Sequence, residues 1–153
     1  MIPLARRAFL KRSAAVAALL ALPAACGEAE DGPGPIRLGR DACDFCRMPI
    51  AEIRYSAQIR MAPDNTLYKF DDVGCAVLFL SRTAGAADAG ARFWAMNHLD
   101  GKTWLDARQA FYLQGLSTPM HYGFAGVPAG TASAVSYDAM TAAVLKTGTE
   151  TGG

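Results

Sequence analysis

The sequence predicts an α+β fold: a single domain built from two ββα-type units plus a C-terminal strand and helix. Two observations support this prediction. The order strand, turn, strand, capped apolar run occurs twice, once within residues 55–80 and again within residues 92–113. The chain also has 153 residues, 52% of them hydrophobic, which is enough for one domain with its own core.

In the first unit, residues 55–61 alternate in polarity as a half-buried strand does, and residues 67–70 form a second strand after the turn sequence 63–65. Asp71-Asp72 then precedes the apolar run 73–80. Because aspartate before such a run is a typical helix N-cap, the pattern favours capping over acid-base chemistry for this pair.

The second unit repeats the order. Residues 92–96 are predicted as a strand, Asp100-Gly101 as a hairpin turn, residues 102–105 as a strand, and Asp106 as the cap of a helix over 107–113.

Other segments complete the domain. A linker rich in alanine and glycine, residues 83–90, separates the two units. A short strand near residues 122–125 and a helix over 137–145 follow them, and the Gly- and Thr-rich residues 146–153 are predicted to be a disordered tail.

The N-terminus reads as an export signal. Residues 1–25 contain no acidic residue, carry Arg6-Arg7 in a twin-arginine-like context, and end in an apolar run. Cys26 follows two alanines, as the acylated cysteine of a lipoprotein does, although Pro23 stands where leucine is usual. Cleavage to a soluble exported protein is the alternative.

Residues 26–39 are rich in Gly, Pro and acidic residues and are predicted to be a flexible tether, so that the folded domain covers residues 40–145. The formal net charge of the whole chain is +1. Removal of the basic signal leaves a mildly acidic chain, which argues against nucleic acid as a partner. No later stretch is apolar for long enough to span a bilayer.

Three thiols remain once Cys26 is assigned to lipid: Cys43, Cys46 and Cys75. A disulfide between Cys43 and Cys46 with a buried Cys75 is one possibility, and metal binding is another. Cys75 falls in the first turn of the first predicted helix, where the helix dipole lowers a thiol pKa, yet it is equally placed to pack in the core.

Other potential metal ligands accompany these thiols. Met48 follows the Cys43-x-x-Cys46 pair closely, and Met120 lies in a segment with turn character beside His121. Thiolate, thioether and imidazole together prefer Cu(I) over hard cations. For His121, a solvated loop position is the alternative.

Four segments in this order resemble the NosL family, the accessory lipoproteins of nitrous oxide reductase: Cys43-Asp44-Phe45-Cys46-Arg47-Met48, Phe70-Asp71-Asp72-Val73-Gly74-Cys75, Trp104-Leu105-Asp106-Ala107 and Thr118-Pro119-Met120. The resemblance spans about residues 42–124. It implies a Cu(I)-binding chaperone, not an enzyme, that is periplasmic and lipid-anchored, with the outer membrane favoured over the inner. It also implies delivery of copper to the membrane-bound machinery that assembles the copper sites of nitrous oxide reductase.

The resemblance also implies a ligand set. Cys46 and Met48 become the first-choice copper donors and Met120 supplies a third sulfur, while Cys43 matches the motif and could pair with Cys46 in the copper-free protein. Cys75 and His121 stay open as further ligands.

Two other functions remain open from the residues. A thiol-disulfide oxidoreductase could act through Cys43 and Cys46, although a predicted hairpin follows them where a thioredoxin-like βαβ unit would be expected. A structural zinc site could combine the three cysteines with a histidine.

Overall fold

The computed structural model describes residues 31–83 and 90–150. In chain order these form a 3-10 helix (Ile53–Tyr55), β1 (Ala57–Met61), β2 (Thr66–Phe70), α1 (Val73–Arg82), β3 (Arg92–Met96), β4 (Trp104–Asp106), β5 (Phe111–Gln114), β6 (Phe124–Val127), β7 (Val135–Ser136) and α2 (Tyr137–Glu150). The predicted α+β class is confirmed, together with the C-terminal strand and helix. Within the two described stretches, no helix is long and apolar enough to cross a bilayer.

The strands form two antiparallel sheets, one in the order β2-β1-β3-β4 and one in the order β6-β5-β7. On β1, Ile59 lies opposite Tyr68 on one side and Phe93 on the other, and its side chain is fully buried. Helix α1 contacts β1, β2, β6 and α2, and most of its residues are buried. The core therefore lies around α1, between the two sheets and α2.

The first predicted unit is confirmed as ββα. Strands β1 and β2 pair across the turn, and α1 begins directly after Asp72. The Asp72 side chain accepts a hydrogen bond from the backbone N–H of Gly74 at 2.9 Å, so Asp72 is the N-cap that the sequence predicts.

The helix predicted over residues 107–113 is wrong. A single turn follows β4, closed by the bond from Ala110 N to Asp106 O at 2.9 Å, and the chain then enters β5. Tyr112 is fully buried in that strand and donates its hydroxyl to Ala107 O at 2.6 Å. Aromatic residues favour strands, and pairing of β5 with both β6 and β7 outweighs the helix propensity of a short segment. The second unit is therefore ββ followed by a strand.

Packed structure begins earlier than the predicted tether allows. Gln58 on β1 accepts a hydrogen bond from Gly34 N and donates one to Gly34 O, both at 2.7 Å, and Gln58 is fully buried. Asp41 is also buried and bonds Lys69 Nζ at 2.7 Å and Arg37 Nε at 2.8 Å. The segment from Gly34 to Gly39 belongs to the domain because a two-fold amide contact holds it to β1.

At the other end, α2 runs to Glu150, beyond the predicted end of the helix at Leu145. Val144 and Gly148 are buried, so the helix continues because it still packs on the core there. The predicted signal over residues 1–25, the lipidation site Cys26 and residues 151–153 lie outside the described residues.

Candidate metal site

The Cys43-x-x-Cys46 segment is a tight turn closed by its own backbone. Cys43 N donates to Met48 O at 2.8 Å, and Arg47 N donates to Cys43 O at 3.0 Å. Arg47 has a φ of 66°, in the left-handed region, which reverses the chain within the turn. Cys43 consequently points into the core and is fully buried, Cys46 is half-buried, and Met48 is 55% exposed.

A reciprocal pair of hydrogen bonds fixes this turn against β2. Asp44 N donates to Lys69 O at 2.8 Å, and Lys69 N donates to the Asp44 carboxylate at 2.7 Å. Because Lys69 is the penultimate residue of β2, the turn is held where β2 leads into α1. Cys43 is thereby brought beside the first turn of that helix.

Cys75 reaches the same place from α1, at its third residue, and is also fully buried. The Sγ atoms of Cys43, Cys46 and Cys75 all lie within 4.8 Å of one another. Metal–sulfur bonds of about 2.3 Å put three sulfurs around a single ion about 4 Å apart. The three thiols, which are free of disulfides, are therefore close to the spacing that a shared metal ion needs.

The hydrogen bonds of the cluster favour one thiolate. The pKa of Cys43 is lowered to about 5, mainly because the Cys75 thiol donates a hydrogen bond to its sulfur. Backbone N–H groups of Asp71, Cys46 and Phe45 also donate to this sulfur and lower the pKa further, whereas burial acts in the opposite direction. The pKa of Cys75 is raised, because that thiol keeps its proton to donate to Cys43 and because it is buried. Burial is also the main reason that the pKa of Cys46 is raised.

These directions correct the expectation for Cys75. Its position in the first turn of α1 predicts a lowered pKa, but the lowered pKa belongs to Cys43. The hydrogen bond between the two sulfurs and the loss of hydration outweigh the helix dipole. From the sequence, core packing and metal binding are alternatives for Cys75. In the structure Cys75 is both buried in the core and part of the thiol cluster.

Two buried aspartates lie next to the cluster. Burial raises the pKa of Asp71 to about 6, the negative charge of Cys43 adds to the shift, and one Asp71 oxygen, Oδ1, is buried without a hydrogen-bond partner. Asp72 is fully buried and bonded at both oxygens. Burial raises the pKa of Asp72 too, whereas its hydrogen bonds act in the opposite direction.

A distant segment, residues 118–123, meets the same helix end. Thr118 donates its hydroxyl to Asp72 at 2.6 Å, and Met120 N donates to the same carboxylate at 3.2 Å. The ring of Tyr122 lies against Gly74, so closely that a Cβ at Gly74 would be 2.6 Å from Tyr122 Cβ and nearer still to the ring. Met120 and Tyr122, both partly buried, pack against the core group that contains Cys43 and Cys75.

Among the residues predicted from sequence, the structure thus brings together Cys43, Cys46 and Cys75. Met120 lies partly buried against the core group to which Cys43 and Cys75 belong, whereas Met48 and His121 are exposed. Within the described ranges, the group of candidate metal ligands contains the three cysteines and no histidine.

Sequence reasoning missed two residues at this site. One is Asp72 in its second role, as acceptor for the 118–123 segment, and the other is Tyr122, whose ring covers the start of α1. The sequence signal for Asp72 is the N-cap pattern alone. Gly74, a glycine inside the first turn of a helix, is the only local hint that something must approach closely there.

Comparison with known proteins gives one informative likeness. No protein-family model and no curated protein matches the sequence. The fold is similar to that of a crystal structure of the copper chaperone NosL from Shewanella denitrificans, with a TM-score of 0.56, 11% sequence identity, and coverage of 72% of this chain and 85% of that one. At this identity the likeness concerns the fold, and the chain is similar in architecture to a copper chaperone.

Proposed function

We propose that this protein is a Cu(I)-binding metallochaperone and not an enzyme. The observation that carries the proposal is the cluster of Cys43, Cys46 and Cys75, whose sulfurs lie within 4.8 Å of one another. Thiolates are soft donors that favour Cu(I), as well as zinc and iron–sulfur clusters, over hard cations. The likeness in fold to a copper chaperone supports the same function.

The unequal exposure of the three thiols suits a carrier. Cys43 and Cys75 are fully buried and would shield the ion from water, whereas Cys46 is half-buried and can be reached from outside. An incoming ligand from a partner protein would attack the copper on the Cys46 side, form a shared intermediate, and displace the buried sulfurs last. Copper is cargo in this scheme, held without turnover.

Further donors belong to the proposal. Met120 packs on the core that holds the thiols, and Met48 is an exposed thioether two residues after Cys46. Either could complete the copper shell or receive the ion during transfer, and His121, also exposed, could do so at the outer side.

The destination of the copper rests on the sequence motifs shared with the NosL family. We propose an exported protein in the periplasm, lipid-anchored through Cys26 to a membrane, the outer one in preference to the inner. Its partners would be the membrane-bound machinery that assembles the copper sites of nitrous oxide reductase and, through it, the reductase itself.

Competition titration with a Cu(I)-specific chelator tests the site. We expect tight binding of one Cu(I) per chain, weakened at least tenfold in Cys46→Ser and in Cys75→Ser, because each change removes a soft donor. Met61→Leu is the matched control, since Met61 pairs with Thr66 at the turn end of the β1–β2 hairpin, whereas the cysteine turn is held at Lys69 near the other end of β2. Met48→Leu and Met120→Leu test the thioethers in the same assay.

X-ray absorption on the copper-loaded protein provides a second, independent test. We expect two or three sulfur neighbours around Cu(I). Unchanged affinity in both cysteine variants, or a first shell made of oxygen and nitrogen, would remove the proposed function.

The alternative of a thiol-disulfide oxidoreductase draws support from the lowered pKa of Cys43. Against it, Cys43 is fully buried, and a nucleophilic thiolate must reach its substrate. Insulin reduction that is lost in Cys43→Ala would favour this alternative.

A structural zinc site is the third possibility, and it would require a fourth ligand beside the three cysteines. It predicts that zinc removal unfolds the domain, whereas a copper carrier must stay folded when empty. Thermal unfolding of the metal-free protein separates the two.

A further inference from the structure

One buried carboxylate joins two parts of the chain that are far apart in sequence. Asp72 Oδ1 accepts from Gly74 N at 2.9 Å, within the start of α1. Asp72 Oδ2 accepts from Thr118 Oγ1 at 2.6 Å and from Met120 N at 3.2 Å. One oxygen thus serves the helix and the other serves the segment 118–123.

The Thr118 hydroxyl also organises that segment internally. Besides donating to Asp72, it accepts a hydrogen bond from Gly123 N at 3.1 Å. Two backbone bonds complete the segment, from His121 N to Thr118 O at 3.0 Å and from Leu116 N to Gly123 O at 3.2 Å. Because a single hydroxyl links the carboxylate to both ends of the segment, its loss removes two bonds at once.

The side chain of Tyr122 lies beside the thiol cluster, and Met120 packs on the hydrophobic core. Tyr122 packs against Gly74, the residue before Cys75, and Met120 packs on the core group that includes Cys43 and Cys75. Burial is the main cause that raises the pKa of Tyr122 to about 12, and the thiols of Cys75 and Cys46 and the carboxyl of Asp72 are the groups near enough to add to the shift.

We infer that Asp72 and Thr118 are a positioning pair: they hold residues 118–123 as a cover over the thiols and thereby slow the exchange of bound copper. The inference rests on the proposed function. Asp72 acts here through Thr118 and the cover, and not as a ligand. A partner that displaces the cover would open the buried side of the site and accelerate transfer.

Thr118→Val is the main test because it keeps the shape of the side chain and leaves the helix cap intact. Transfer of Cu(I) from the full, loaded chain to a chelator is followed by stopped flow. We expect release about tenfold faster, which corresponds to about 1.4 kcal/mol, close to the lower end of the range for a lost hydrogen bond to a charged group. Thr118→Ser restores the hydroxyl and should return the rate to the wild-type value.

Thr103→Val is the matched control. Thr103 Oγ1 donates to Asp100 at 2.7 Å, the same type of bond, but in an exposed turn. This variant should release copper at the wild-type rate. Asp72→Asn is a second perturbation: its amide oxygen can still cap Gly74 N, while its amide nitrogen cannot accept from Thr118 or from Met120 N.

A readout without copper separates this inference from the proposed function. In the metal-free protein, mass spectrometry follows alkylation of each cysteine. Thr118→Val should accelerate modification of buried Cys75 about tenfold and leave half-exposed Cys46 nearly unchanged. Wild-type rates of both Cys75 alkylation and copper release in Thr118→Val and Asp72→Asn would overturn the positioning role. A different outcome would separate the two claims. If the wild-type protein does not bind Cu(I) through its cysteines but Thr118→Val still accelerates alkylation of Cys75, the proposed function is wrong and the positioning role of Asp72 and Thr118 stands.

Discussion

Replacing Gly74 by alanine tests the packing of Tyr122 on the start of α1. Helix propensity alone predicts that alanine stabilises α1 by about 1 kcal/mol. The new Cβ, however, would lie 2.6 Å from Tyr122 Cβ and closer to two ring atoms, far inside normal contact distance. Moving the ring away from the core costs about 2–3 kcal/mol, the upper part of the usual range for overpacking, because the base of the Tyr122 side chain and not a flexible tip must move.

The two effects together predict net destabilisation of about 1–2 kcal/mol for Gly74→Ala, which lowers Tm by about 3–8 °C in a domain of this size. Thermal and urea unfolding measure this change. Gly148→Ala is the matched control on α2, since its Cβ would meet the Cδ atoms of Leu78, the movable end of a side chain. We expect that variant to stay within about 0.5 kcal/mol of wild type, because helix propensity offsets the adjustment of Leu78.

A Gly74→Ala protein as stable as wild type, or more stable, would refute the packing of Tyr122 on α1. Since the cover over the thiols includes the same ring, Gly74→Ala should also accelerate alkylation of Cys75 in the metal-free protein. A stability change without any change in that rate would separate the packing of Tyr122 from protection of the thiols.

Two further predictions concern bonds away from the thiols. Asp41→Asn should destabilise the domain by about 2 kcal/mol at pH 7. The hydrogen bond from Lys69, then those from Arg37, hold the pKa of Asp41 well below 3.8, so its contribution is present above about pH 4 and lost as pH falls further. Urea unfolding at several pH values should show the variant and wild type converging in acid, and a constant difference would contradict this. Tyr112→Phe removes the 2.6 Å bond to Ala107 O inside the core and should cost about 1–2 kcal/mol, measured by the same unfolding method with Tyr55→Phe as control.

Local patterns predicted much of the fold. Strand β3 occupies the predicted residues 92–96, and α1 starts at the residue after its predicted cap, because alternation and capping are properties of a few neighbouring residues. The helix prediction for residues 107–113 is wrong because the structure of this segment depends on distant partners. Its helical preference is weak, and the strand forms only because β6 and β7 lie on either side of it, which no local pattern contains.

At the site, too, the sequence predicts features that depend on neighbouring residues and not those that depend on distant contacts. The spacing of the Cys43-x-x-Cys46 pair predicts a site there, and the sequence makes Cys75 a candidate ligand. The lowered pKa of Cys43 depends on donors from α1, from Asp71 just after β2, and from the turn itself, and these donors come together only in the folded chain. The second role of Asp72 depends on Thr118, 46 residues away, so its sequence signature is that of an ordinary cap.

The double amide contact between Gly34 and Gln58 limits how far the domain can stand from an anchor. The chain is already held at Gly32, whose carbonyl accepts a hydrogen bond from Arg60 Nε at 2.9 Å. With lipid on Cys26 as proposed, the connection from Cys26 to Gly32, at about 3.5 Å per residue, could span at most about 21 Å. With that anchor, so short a connection would hold the domain within about its own width of the bilayer surface. A soluble recipient would have to come to the membrane to collect its copper, whereas a recipient embedded there would always be within reach.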